Sequence, residues 1–171
     1  NKVQEALTKF ENRTFDCKLH IIGPIQSNKI ALIAKHANWV HSIDRVKVAR
    51  KLNEALKAEE RKMHVLIQVN VDREESKSGI FPEDVISFAQ DIRADYPNLI
   101  LEGLMFMPNI NASKKDKLNT MENIQSIQNA LINELPDCGH LSLGTSGDFE
   151  ESIAAGSTMV RIGEMLLGKR S

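Results

Sequence analysis

Two segments of this sequence combine residue types that bind anions. In Leu143-Gly144-Thr145-Ser146-Gly147-Asp148-Phe149-Glu150-Glu151 a strand-like run leaves through small residues and enters a helical one. Backbone N–H groups around Ser146, together with its hydroxyl, can surround a phosphate there, assisted by the partial positive charge of a helix start. The same residues also spell an ordinary helix entry, with Asp148 as N-cap and Glu151 as its capping-box partner. Arg161-Ile162-Gly163 ends a later strand-like run. An arginine in that place is costly unless an anion or acceptor meets it, the alternative being an ion pair with Glu164 or Asp148.

Other reactive side chains stand apart. His20 opens the run His20-Ile21-Ile22-Gly23-Pro24 and reads either as a hydrogen-bonded core histidine or as a group facing a ligand. His36, His41, His64 and His140 have no spacing that gathers them on one helix face for metal binding, and no role follows for them. Lys77 lies in a loop after a strand, where it can form an adduct with an aldehyde or simply be solvated and ion-paired. Cys17 and Cys138 belong to no C-x-x-C pair and read as buried thiols, and no metal site is expected.

The elements that must position these groups alternate strictly. Helical spacing at Val3, Ala6, Leu7 and Phe10 precedes the Leu19–Pro24 strand. Ile30, Ile33, Ala34 and Ala37 mark a helix before the strand Trp39–Asp44, and Val48, Ala49, Leu52, Ala55 and Leu56 mark one before His64–Val71. Asp72–Gly79 reads as a polar loop. Pro82 starts a helix that Tyr96-Pro97 stops. Leu99–Met107 is the next strand, Pro108–Asn119 a polar loop, and Ile124, Ile127, Leu131 and Leu135 a helix. Two further strands, Leu141–Leu143 and Met159–Ile162, flank a short helix from Phe149 to Ala155, giving six helix-strand units. Such alternation predicts an α/β fold with a parallel sheet. No Gly-rich dinucleotide or P-loop turn follows an early strand, and the glycine-rich turns come late. That suits a TIM (β/α)8 barrel, whose phosphate site is built after its last strands, here incomplete with about six of eight strands.

Composition narrows the function. The 171 residues carry a net charge of −1 with 42% hydrophobic, 26% charged and 5% aromatic residues, which predicts one globular domain without a basic nucleic-acid surface. No apolar stretch reaches the roughly 20 residues of a membrane span, and no signal-like segment opens the chain, so a cytoplasmic protein is expected.

The segments Asn1-Lys2-Val3-Gln4-Glu5, His20 to Lys29, Gln68-Val69-Asn70-Val71, Ser76-Lys77-Ser78-Gly79, Gly103-Leu104-Met105, Leu141 to Asp148 and Gly156 to Gly168 resemble, in order and spacing over essentially the whole chain, the pyridoxal phosphate homeostasis proteins (the YggS/PROSC group). The resemblance implies a barrel of the alanine racemase N-terminal-domain type, pyridoxal 5'-phosphate as cofactor, and a role in intracellular vitamin B6 and amino-acid homeostasis without established catalytic turnover. By motif position it implies that Ser146, Gly147, Gly163 and Glu164 surround the phosphate, that Arg161 faces the pyridine nitrogen, and that Asn1 and His20 lie near the ring. Apoenzymes that use the same cofactor are the implied partners, with no membrane and no nucleic acid. A guanidinium keeps its charge and would hold that ring nitrogen unprotonated, so such a ligand is bound more than activated. Glu164 departs from the threonine or serine of the family, and because a carboxylate repels phosphate only its backbone N–H is expected to help.

The family's Schiff-base lysine sits upstream of the segment that Asn1 finishes. Residues 1–171 are therefore expected to form a single barrel domain lacking its first strands, with exposed strand edges near His20 and Arg161 and with noncovalent binding through the phosphate cradle and Arg161. Two alternatives stay open. A racemase-like enzyme needs bases on both faces of the substrate's alpha carbon, and the only tyrosine, Tyr96, falls at the end of the barrel opposite the ligand loops. A non-binding fragment would instead use its strand edges for interaction.

Overall fold

The computed structural model describes residues 3–11, 16–74, 76–109 and 112–168. Strands β1 (His20–Ile21), β2 (Trp39–Ile43), β3 (Met63–Val69), β4 (Leu99–Phe106), β5 (His140–Thr145) and β6 (Met159–Arg161) form one sheet in sequence order, every neighbouring pair parallel. Helices α1 (Val3–Glu11), α2 (Ile30–His36), α3 (Val46–Ala58), α4 (Val85–Asp95), α5 (Lys114–Glu134), α6 (Phe149–Ala154) and α7 (Glu164–Leu167) alternate with them. Parallel strands in sequential order, each joined to the next through a helix, make the curled sheet of an incomplete TIM barrel, as expected. Its edges are β1 and β6.

Local differences from the sequence reading have local causes. The apolar run before Gly23-Pro24 pairs only over His20–Ile21, where the sheet edge offers a single partner strand. The polar stretch read as loop through Asn119 becomes helical from Lys114, because Ser113 Oγ accepts the Asp116 N–H at 3.2 Å and caps the first turn. The short helix α7 has no periodic signal long enough to read.

The two faces of the sheet are unlike. On the helix side, Leu52 and Leu56 of α3, Val85 and Ile92 of α4, and Ile124 and Leu131 of α5 pack with Val65, Ile67, Leu104 and Phe106 in one apolar cluster. Each such buried side chain contributes about 1.5–3 kcal/mol through its removal from water. On the concave side Trp39, Leu66 and Met105 form a separate small cluster with Met159, surrounded by polar groups.

A bulge in β4 keeps the two faces in phase. Leu101 pairs with Val65 but Gly103 with Leu66, so Glu102 is one residue extra. Leu99 and Leu101 face the helices before it, Leu104 and Phe106 after it, and Met105 turns to the concave side. Gly103 has φ +148°, and a Cβ there would lie 1.9 Å from the His140 carbonyl oxygen, so glycine is required.

Candidate functional site

Thr145 pairs with Arg161, which places Ser146 and Arg161 at the same C-terminal end of adjacent strands. The Arg161 guanidinium reaches across the sheet: Nη1 donates to Ser142 O at 3.0 Å and Ser142 Oγ at 2.9 Å, and Nη2 donates to Phe106 O at 2.9 Å. All three acceptors are neutral. Neither carboxylate suggested by the sequence forms an ion pair with it; Asp148 acts only at longer range, opposing in part the burial that lowers the Arg161 pKa. A cation held this way keeps its charge available to an incoming acceptor.

The phosphate cradle differs in its donors from the sequence reading. Ser146 Oγ accepts from the N–H groups of Gly163 at 3.3 Å and Met165 at 3.2 Å, at the start of α7 rather than of α6. Asp148 turns back, its Oδ1 accepting from Thr145 N at 2.7 Å and Thr145 Oγ1 at 2.8 Å, so the expected capping box with Glu151 does not form and α6 has no side-chain cap. The two donating N–H groups flank Glu164, whose exposed residue lines the same hollow of about 430 Å³ with Ser146, Gly147, Met165 and Gly168. At Gly147 and Gly163 the space a Cβ would enter is open, leaving backbone accessible. A larger groove of about 870 Å³ between α5 and α6 reaches Gly147 and Asp148 but not Ser146, which lines the smaller hollow; Arg161 lines neither.

His20 is exposed at the β1 edge, not in the core. Its ring stacks on Trp39 with centroids 5.4 Å apart and planes within 4°, and its Nδ1 lies 2.9 Å from His41 Nε2. His41, His64 and His140, which sequence spacing left without a role, meet around the same Trp39. His64 stacks on it at 4.7 Å while bonding Glu102 through Nδ1 at 2.6 Å, and His140 meets its edge at 5.5 Å. His41 Nδ1 lies 3.0 Å from Ser142 Oγ. Strand pairing, not helical spacing, brings these histidines together, so the signal lay in alternation along strands: Trp39 and His41 are two apart, as are His140 and Ser142. Burial, then His20 and Arg161, lower the His41 pKa to about 3; burial, then Lys18 and His64, lower that of His20.

Lys77 is ion-paired, with Nζ 2.9 Å from Glu74 Oε1 and 3.8 Å from Asp72 Oδ2, and it also donates to Met107 O at 3.1 Å. Asn70 holds this loop through Glu74 and Lys77 carbonyls. Cys138 is buried, and burial raises its thiol pKa to about 11; Cys17 is only half-buried, unlike the sequence reading. Among the described residues no group of three His, Cys, Asp or Glu side chains can hold a metal, and no helix is long and apolar enough to cross a membrane. Tyr96 caps α4 at the N-terminal end of β4, opposite Ser146 and Arg161. Asn1 lies outside the described residues.

Comparison with known proteins identifies the family and the fold. The alanine racemase N-terminal domain family matches residues 1–171. The pyridoxal phosphate homeostasis protein of Vibrio alginolyticus is 42% identical over 99% of this chain and 75% of its own length, and that of Escherichia coli K12 is 40% identical over 99% and 74%. The chain thus spans about three-quarters of these relatives. PipY of Synechococcus elongatus, solved with PLP bound, superposes with a TM-score of 0.87 at 25% identity over 98% of this chain and 79% of that one. Alanine racemase from Clostridium difficile shares the fold alone, at 17% identity and a TM-score of 0.78 over 99% and 44%. By whole-chain family match and by identity to its relatives, this chain belongs to the alanine racemase N-terminal domain family and, within it, to the pyridoxal phosphate homeostasis proteins.

Proposed function

We propose that this protein binds pyridoxal 5'-phosphate in the cytoplasm and serves vitamin B6 and amino-acid homeostasis by holding the cofactor, without turnover, for apoenzymes that use it. The observation that carries this reading is the half-buried Arg161, held by three neutral oxygens at the strand end beside the Ser146 hollow. The residues present fit the cofactor. The Ser146 hydroxyl, accepting from the N–H groups of Gly163 and Met165, keeps its own proton to donate to a phosphate, with Gly147 leaving backbone open and Glu164 contributing no attractive charge. Arg161 would donate to the pyridine nitrogen and keep it unprotonated; His20 would lie toward the ring from the β1 edge, and Asn1 is proposed near it on the resemblance alone.

When bound, the cofactor supplies an aldehyde that condenses with amines and a ring whose electron-withdrawing power depends on a proton at its nitrogen. An obligate cation at that nitrogen excludes the proton, so these residues retain the cofactor rather than drive carbanion chemistry. Tyr96 at the opposite sheet end favours the same reading over a racemase.

Titration of the protein with pyridoxal 5'-phosphate, followed by absorbance, tests the site. Arg161→Gln should weaken binding about 10- to 100-fold and Ser146→Ala about fivefold, the losses expected for a charge-assisted and a neutral hydrogen bond. Unchanged affinity in both, with the fold intact by circular dichroism, rejects the assignment.

A further inference from the structure

Two imidazoles, His20 and His41, link the β1 edge to Arg161, and the cofactor reading gives His41 no part. Ser142 is fully buried and accepts from Arg161 Nη1 at 2.9 Å. Arginine can only donate, so the Ser142 hydroxyl retains its own proton to give. Its other side-chain partner among the described residues is His41 Nδ1, at 3.0 Å. A buried hydroxyl proton without an acceptor costs about 1–3 kcal/mol, which selects the His41 tautomer with a bare Nδ1 and a proton on Nε2. That proton points at His20 Nδ1, 2.9 Å away, so His20 carries its own on Nε2. Hydrogen-bond direction is therefore uniform, from Ser142 through His41 to His20, with Arg161 donating at its head.

The charges around the chain keep it neutral. Lys18 and His64 face His20, and Arg161 faces His41, so each disfavours a proton on the imidazole it meets. The carboxylate of Glu102 is engaged by His64, and His140 meets only the edge of Trp39.

We infer that His41 is a positioning residue for Arg161: by accepting the Ser142 proton it turns the Ser142 oxygen toward the guanidinium, and so fixes the direction in which Arg161 presents its remaining N–H groups to the ring nitrogen of bound pyridoxal 5'-phosphate. The inference rests on the proposed cofactor site and extends it to β2, which β3 and β4 separate from β5 in the sheet.

The test uses pyridoxal 5'-phosphate and its analogue with a ring C–H in place of the nitrogen, each titrated against the unaltered protein, His41→Leu and His41→Asn. Leucine removes the acceptor, whereas the asparagine side-chain oxygen can take the place of Nδ1. His41→Leu should weaken pyridoxal 5'-phosphate about tenfold but the analogue less than about twofold, and His41→Asn should restore most of the loss. Nitrogen-15 spectra of the ligand-free protein should find His41 protonated at Nε2 and bare at Nδ1. Unchanged binding in His41→Leu, equal weakening of both ligands, failure of asparagine to rescue, or the opposite tautomer each overturns the positioning role. Failure of the unaltered protein to bind either ligand would instead overturn the cofactor reading, and this inference with it.

Discussion

The helix-facing and concave sides of the sheet divide the work of the molecule. The helix side is an apolar cluster in which Leu52, Leu56, Ile67, Ile92, Leu104 and Ile124 are fully buried. The concave side has only a small apolar cluster around Trp39, and gives its remaining positions to His20, His41, His64, Ser142 and Arg161. A buried polar network contributes little net stability and is costly when left incomplete, whereas an apolar layer stabilises in proportion to its area. The contrast teaches that folding is driven from one face while the other is free to carry charge and direction.

The strongest way to break this division is at the bulge that keeps the faces in phase. Gly103→Ala should lose about 4 kcal/mol or more, since its Cβ would overlap the His140 carbonyl, and should impair stability and ligand binding together. Leu104→Ala, on the helix side alone, should lose about 2–5 kcal/mol in urea unfolding while the folded fraction keeps its affinity for pyridoxal 5'-phosphate.

Acid separates the faces next. The His41 pKa is lowered from 6.5 in the unfolded chain to about 3 in the fold, so the unfolded state takes up the proton first on acidification. The associated stability is complete above about pH 6.5 and declines as pH falls toward about 3, by up to about 1.4 kcal/mol per unit. Between pH 6 and pH 4 the unaltered protein should therefore lose about 2 kcal/mol more than His41→Asn, measured by urea midpoints at each pH. A smaller effect sharpens the contrast from the helix side. Cys138, with its thiol raised to about 11, should react with a disulfide reagent at pH 8 after Cys17 and only as the fold opens, as timed thiol counting would register.

Much of this was legible in the sequence wherever the signal was periodic or local. Helical spacing at Val48, Leu52 and Leu56 and the stop at Tyr96-Pro97 locate α3 and α4, and alternation of types gives the parallel order. Ser146 and Arg161 were readable because one follows and the other ends a strand, each within two residues of a glycine. The hidden parts depend on register between strands. Ser142 and His41 are 101 positions apart and meet only because β2 and β5 curl toward one another across the concave face. The donors to Ser146 Oγ come from Gly163 and Met165 because Asp148 is drawn back to Thr145, a competition between two hydrogen bonds that residue types alone do not decide.

Trp39 is the chain's single tryptophan and lies between two imidazole planes. An imidazolium beside an indole takes electron density from its excited state and dims its fluorescence. Emission from this one ring therefore reads out protonation of His20 without any label, and any ligand that shifts that histidine becomes visible as light.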